Sequence, residues 1–258
     1  MGLEKRSKVA VVTGVGRRRS LGAALAVGLA GDGWDLALNY WQPYDQRLGM
    51  ESSPGDPESI AAECRELGAA VELVAGDLGD PAVPAELIAA AGRLGPVSGL
   101  VMSHCESVDS SVLTTSLESW DRHFAVNARA TWLLIKAFAE QLPDAAPGEA
   151  GGRIVALTSD HTVHNLPYGA SKGALDRIVT AAAVELAHRG IRANVVNPGP
   201  IDTGWMDDAI RGWTTGATPA GRLGTASDTA NLVRFLFSDA GSWINGQILH
   251  SNGGFNVS

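Results

Sequence analysis

Seven short runs of β-branched and aliphatic residues alternate along the chain with longer stretches of helical spacing. The runs are Val9–Thr13, Leu36–Tyr40, Val71–Val74, Gly99–Met102, Arg153–Thr158, Arg192–Val196 and Gln247–His250. Between them lie Leu21–Ala30, Glu58–Leu67, Pro84–Ala91, Leu117–Leu142, Tyr168–His188 and Ser227–Phe237. Such alternation implies a parallel sheet covered by helices on both faces. Right-handed crossovers and a doubly wound path then put ligands at the carboxyl ends of the strands, near the point where strand order reverses. Functional residues are therefore expected in strand-to-helix loops. The 45% hydrophobic content and 31 glycines suit one domain that buries a large sheet. Two Pro/Gly-rich interruptions, Trp41–Pro57 and Pro143–Gly152, read as loops inside that domain. Thr131–Ala139 and Leu175–Ala187 carry apolar residues around most of their circumference, which implies a second partner beyond the sheet, a further subunit of the same chain.

A formal charge of −8 argues against nucleic acid or an anionic membrane surface as partner. No window approaches the roughly 18 uninterrupted apolar residues of a spanning helix, and the opening MGLEKRSKVAVVTG reads as a first strand, not a signal sequence. Two cysteines, Cys64 and Cys105, are too few for a disulfide framework and point to a reducing compartment, the cytoplasm.

The first strand runs into Thr13-Gly14-Val15-Gly16-Arg17-Arg18-Arg19-Ser20-Leu21-Gly22 before a helix. Glycines let backbone amides approach a phosphate, and a helix N-terminus adds the positive end of its dipole. The spacing is wider than G-x-G-x-x-G, so the motif alone also fits an ordinary strand-helix turn. Three consecutive arginines repel one another unless solvent or an anion screens them, and a 2′-phosphate would do so. The second strand ends in Asn39-Tyr40-Trp41, without the acidic residue of an NAD-selective site. NADP(H) is the expected cofactor, with NAD(H) as alternative; Asp45 is the residue within reach that would weaken that inference, and a solvated basic turn is the plainer reading.

Tyr168-Gly169-Ala170-Ser171-Lys172 opens a helix, so the phenol and the ammonium share one face. A cation beside a tyrosine favours the phenolate that proton transfer requires. The plainer reading is a surface tyrosine over a lysine stem. Position adds weight, because Ser159 follows strand Arg153–Thr158 at the sheet's carboxyl end, where a hydroxyl can hold a substrate oxygen.

At this point the sequence resembles the short-chain dehydrogenase/reductase family, and within it the 3-oxoacyl-[acyl-carrier-protein] reductases. The matching pieces come in order through nearly the whole chain: the Thr13-Gly14 turn, Gly76-Asp77-Leu78, Asn127 in Phe124-Ala125-Val126-Asn127, Ser159, the Tyr168/Lys172 pair, Asn197-Pro198-Gly199 with Thr203, and Gly246-Gln247 leading to Gly253-Gly254. The resemblance implies a single-domain Rossmann fold with a seven-stranded parallel sheet in the order 3-2-1-4-5-6-7. It implies hydride transfer between a nicotinamide and a carbonyl or secondary alcohol, a 3-oxoacyl thioester being one candidate, in a homotetramer or dimer. Tyr168 would donate the proton, Ser159 would bind the carbonyl oxygen, Lys172 would hold the nicotinamide ribose and depress the phenol, and Asn127 would hold a relay water. For the cofactor it implies Thr13, Gly14, Gly16, Arg18, Arg19, Ser20 and Leu21 at the turn. Asp77 and Leu78 would meet the adenine, and Ser103 and His104 would contribute backbone. Pro198, Gly199, Ile201 and Thr203 would join Tyr168 and Lys172 at the nicotinamide end. No metal is implied. Asn127 and Asp77 also fit a role as caps of local backbone.

The chain departs from the family in three places. Met102-Ser103-His104-Cys105 stands where Asn-Asn-Ala-Gly is usual, the glycine turn is expanded, and the Ser159–Tyr168 stretch is short. The expanded turn also resembles some enoyl-acyl carrier protein reductases, which space the tyrosine and lysine further apart. Asp160–Leu166 and Ile201–Ala217, with Trp205, Met206 and Trp213, should rim an apolar pocket under a lid around residues 200–218. His161 and His164 read as solvated loop residues and Cys105 as a buried small residue. A non-catalytic NADP(H)-binding regulator of the same fold is the alternative function; it has no need of Ser159, Tyr168, Lys172 and Asn127 together. A hydrolase built on His161 lacks a Gly-x-Ser-x-Gly elbow.

Overall fold

The computed structural model describes residues 8–143 and 151–255. In chain order the elements are β1 (Lys8–Val12), α1 (Leu21–Gly31), β2 (Trp34–Tyr40), α2 (Gln42–Arg47), α3 (Asp56–Glu66), β3 (Val71–Ala75), α4 (Val83–Gly92), β4 (Val97–Met102) and α5 (Leu117–His123). A π-helical turn, Phe124–Arg129, joins α5 to α6 (Ala130–Gln141). Then come β5 (Gly152–Leu157), α7 (Leu166–Glu185), β6 (Ile191–Asn197), α8 (Asp208–Ala217), α9 (Ala226–Phe237) and β7 (Ile248–His250).

The strands form one parallel sheet in the order β3-β2-β1-β4-β5-β6-β7, as expected. Alternation along β1 shows how both faces are covered. Val9 and Val11 join one apolar cluster with α4, α6 and α7, while Ala10 and Val12 join the other with α1, α3 and α9. Because β1 lies between β2 and β4, the chain reverses direction across the sheet there, and a crevice opens at the carboxyl ends of β1 and β4.

Two expectations need correction, and a third gains an element. Trp41–Pro57 is not all loop: it holds α2 and the first turn of α3, both with a proline in their first turn, where a missing N–H is harmless. Ile201–Ala217 contains α8, capped by the Asp207 side chain, which accepts from Ile210 N at 2.7 Å. The long helix over Leu117–Leu142 is interrupted by the π turn. Of the Pro143–Gly152 interruption, residues 144–150 lie outside the described residues. On α6 and α7 the surplus apolar surface comes down to an outward Trp132 and Val184, 51% and 75% exposed.

Candidate active site

The glycine turn is built by backbone packed on backbone. Gly14 sits at φ +76°, and a Cβ there would come within 2.7 Å of the Ser103 carbonyl oxygen; one on Gly22 would meet the Gly14 oxygen at 2.4 Å. No side chain fits either gap, so the first turn of α1 is held against the ends of β1 and β4. Ser20 caps α1, its hydroxyl accepting from Ala23 N at 3.0 Å, so Leu21 begins the helix.

Thr13 and His104 tie the turn to the segment after β4. The Thr13 hydroxyl oxygen accepts from Ser103 N at 3.1 Å and His104 N at 3.3 Å, and lies 2.7 Å from His104 Nδ1. His104 Nε2 is 3.0 Å from the Val126 carbonyl, which can only accept. The proton is therefore on Nε2, and Nδ1 accepts from Thr13. This buried imidazole takes up the polar support that the altered Met102–Cys105 segment had put in question.

Burial, with a smaller contribution from the Lys172 charge, pushes His104 down to about 3 from 6.5. Between those values the unfolded chain binds a proton that the native state refuses, so stability is full above 6.5 and is lost as pH falls below it. Going from pH 7 to pH 5 should cost about 2 kcal/mol through this residue. Urea denaturation at both pH values, with His104→Gln alongside, checks this: an equal pH slope in the variant would remove His104 as the cause.

The three arginines are neutralised from within the chain. Arg17 Nε donates to Asp45 Oδ1 at 2.8 Å and its Nη1 to the Thr203 carbonyl at 2.8 Å. Arg18 pairs with Glu63 at 2.7 Å, and Arg19 with Asp202 at 3.1 Å. The argument that these cations need an outside anion is thereby corrected: carboxylates distant in sequence supply the screening. Asp45 does reach back to the turn.

A chain of polar contacts runs from β3 to α7. Asp77, after β3, receives two hydrogen bonds from Arg122, at 2.8 and 2.9 Å, and one from Gly79 N at 2.8 Å. Although partial burial works the other way, these bonds and the Arg122 charge hold its carboxyl below the usual range. Arg122 Nε also donates to the buried Glu106 at 3.2 Å, and Arg47 pairs with the same carboxylate. Asn127 Oδ1 accepts from Glu106 N at 2.8 Å, while its Nδ2 donates to Glu106 O at 2.9 Å and Ser171 Oγ at 2.8 Å. The π turn makes this possible, because its extra residue turns Asn127 inward toward the segment after β4. The Asn127 amide is thereby fixed between Glu106 and Ser171, and its main-chain oxygen accepts from the Thr131 hydroxyl. Asp77 likewise meets an arginine and a backbone amide here, and Leu78 lines the cleft beside it.

Tyr168 and Lys172 project from the first turns of α7, one helical turn apart. Lys172 is buried and donates from Nζ to Leu157 O at 2.8 Å; the same Nζ lies 5.7 Å from the Tyr168 ring centre. Burial pushes the Tyr168 phenol up, the nearby Cys105 adds to this, and a hydrogen bond with Ser159 opposes it. Burial also pushes Lys172 down. In this state the net displacement of the phenol is upward, with burial its largest cause. Pro198, Gly199, Ile201 and Thr203 follow β6 on the far side of the site, and Gly199, at φ +66°, lies against Asn252, leaving no room for a Cβ. His161 and His164 are exposed, and His164 takes φ +64°, a mark of how tightly the short Ser159–Tyr168 loop turns. Trp205 and Trp213 are exposed by 52% and 67%, Trp213 packing edge-on against Phe255.

Tyr44, Cys105, Glu106 and Arg122 also line the crevice, although the sequence marked none of them for it and read Cys105 as a buried small residue. Burial pushes the Cys105 thiol up, while Lys172 and Tyr44 pull the other way. The crevice has the parts a dinucleotide needs: a turn close-packed at Gly14 and Gly22 leads into a helix N-terminus, and the buried ammonium at the far end keeps donors beyond the one given to Leu157. Among the described residues no cluster of metal-ligating side chains occurs.

Comparison with known proteins agrees with this arrangement. A family model described as Enoyl-(Acyl carrier protein) reductase matches residues 14–256. The oxidoreductase YjdA of Bacillus subtilis is 33% identical over 97% of both chains. A chloroplastic NADPH-dependent aldehyde reductase-like protein of Arabidopsis thaliana is 33% identical over 96% of this chain and 94% of its own. Among solved structures, a metagenomic blue fluorescent protein in complex with NADPH superposes with a TM-score of 0.83 at 30% identity, over 99% of this chain and all of its own. A short-chain dehydrogenase/reductase of Serratia marcescens does so with 0.84 at 26% identity, over 98% and 99%. With the sheet order, the Tyr168/Lys172 pair and full-length relatives in agreement, the chain belongs to the short-chain dehydrogenase/reductase family and is an oxidoreductase of that type.

Proposed function

We propose that the protein is an NADPH-dependent carbonyl reductase, able to run toward alcohol oxidation, with Ser159, Tyr168, Lys172 and Asn127 as its working residues. The observation that carries this reading is the meeting of Ser159, Tyr168 and Lys172 at the carboxyl end of β5. Reduced nicotinamide, when bound, supplies a hydride to the carbonyl carbon. The Ser159 and Tyr168 hydroxyls hold the carbonyl oxygen, and Tyr168, kept protonated by burial, passes its proton to that oxygen. The Lys172 ammonium stabilises the phenolate left behind. Asn127, fixed through its amide, offers its main-chain oxygen, which also accepts from the Thr131 hydroxyl at 2.8 Å, to a water that restores the proton.

Backbone at Thr13, Gly14, Gly16, Ser20 and Leu21 would hold the pyrophosphate, with Asp77 and Leu78 at the adenosine. Ser103 and His104 would lie along the dinucleotide, and Pro198, Gly199, Ile201 and Thr203 at the nicotinamide. Arg18 and Arg19, half-exposed, are free to exchange a carboxylate for a 2′-phosphate. The plant relative's name and the neighbour's NADPH complex support this preference. Residues 200–218, with Trp205 and Trp213, would form the substrate lid of a single 1–258 domain and favour apolar or planar carbonyls, 3-oxoacyl thioesters among them. The free Cys64 and Cys105 suit the cytoplasm, and no helix among the described residues is long and apolar enough to cross a membrane.

A panel of aldehydes, ketones and 3-oxoacyl thioesters, followed by NADPH absorbance and repeated with NADH, tests the reading. Turnover favouring NADPH is expected; a preference for NADH would overturn the cofactor assignment. Outward Trp132 and Val184 should be covered in a homotetramer or dimer, so sedimentation at micromolar concentration should show an oligomer, and a monomer would count against it.

A further inference from the structure

Helix α2 lies in the cleft, not beside it, and touches three of its walls. At the glycine turn, Asp45 Oδ2 lies 2.9 Å from where a Cβ on Gly16 would stand, and Gln42 Nε2 donates to Gly16 O at 3.3 Å. At Arg17, the Asp45 carboxylate closes an ion pair whose side chains are each only 9% exposed. Beyond β4, the Tyr44 hydroxyl lies 3.5 Å from Ser107 O, and Arg47 holds Glu106 while its guanidinium stacks on the Tyr44 ring. The cavity left beneath α2 is about 160 Å³ and runs from Arg17 to Cys105; Ser159, Tyr168 and Lys172 do not line it. Small-molecule sites are commonly about 300–1,000 Å³. The cavity beneath α2 is smaller than that, and Asp45 already stands against Gly16 and Arg17 at the turn.

An anion-binding turn has thus been given an anion from its own chain. We propose that α2 is a displaceable strap: the Asp45 carboxylate occupies Arg17 and the glycine turn where a cofactor phosphate must stand, Tyr44 blocks the way to Tyr168, and the dinucleotide binds by swinging α2 aside. Asp45 is then a determinant of cofactor affinity that acts by competing with the ligand. This rests on the dinucleotide reading given above.

Stopped-flow tryptophan fluorescence, with Trp41 at the N-terminus of α2 as a nearby reporter, tests it using NADPH on the full chain. For a strap that must open first, the observed rate should level off as NADPH rises. Asp45→Asn, which keeps the shape and removes the charge, should raise that plateau and tighten NADPH binding by about tenfold, because a larger fraction of the chain is open. Tyr44→Ala should act in the same direction, and hydrogen exchange at residues 42–50 should increase when NADPH binds. Rates linear in NADPH and unchanged by both variants would overturn the strap while leaving the cofactor reading intact. Weaker NADPH binding in Asp45→Asn would instead make Asp45 a ligand and also overturn it. If neither the native chain nor the variants bound NADPH or NADH, the dinucleotide reading itself would fall and the strap with it.

Discussion

Tyr168→Phe should lower kcat by about a thousandfold with NADPH and any carbonyl the enzyme accepts, while dinucleotide binding and the fold persist. The ring keeps its place beside the Lys172 ammonium, and Lys172 keeps its bond to Leu157 O. What disappears is the hydroxyl that, on the proposed mechanism, gives its proton to the substrate oxygen beside Ser159. Steady-state turnover and a fluorescence titration of NADPH separate the two effects. A variant that turned over at the native rate would end the mechanism, and one that lost NADPH binding as well would show that the hydroxyl is structural.

Arg122→Met should destabilise the native state by about 3 kcal/mol. The guanidinium serves two acids at once: Asp77, which it grips with both terminal nitrogens, and Glu106, whose side chain is only 2% exposed. Methionine fills much of the volume and returns none of the charge, so a buried carboxylate is left with Arg47, half in solvent, as its remaining cation. Adding Glu106→Met should recover part of the loss, because a buried pair removed whole costs far less than one cut in half. Urea denaturation of the three proteins measures this. Equal stability of native and Arg122→Met protein would mean that Arg47 alone satisfies Glu106.

The inner strands could be read from the amino acids because β1, β5 and β6 are buried on both faces along most of their length and so are rich in Val, Ile, Leu and Ala, whereas their order came from the family resemblance. Ser159, Tyr168 and Lys172 could be read because β5 and the start of α7 carry them within one stretch. The short α2 could not. Its sequence, QPYDQR, has no apolar face, and its place depends on Arg17, Ser107 and Glu106, partners far along the chain. The partners of the arginine triplet were hidden for the same reason: Asp45, Glu63 and Asp202 become its neighbours only once the sheet is assembled. Position 104 looked like a lost contact, since one histidine doing the work of several polar side chains leaves no pattern in local sequence.

The π turn at Phe124–Arg129 has a consequence for how this chain can change length. A helical residue advances the face by about 100°. Deleting one residue inside the turn would restore an ordinary hydrogen-bond ladder and make the local helix more comfortable. It would also rotate everything on one side of the cut, swinging Asn127 off Glu106 or Leu134 and Phe138 off the sheet. Here the easier helix is the useless one, so the segment between α5 and α6 should tolerate exchanges of side chain far better than any change in residue count.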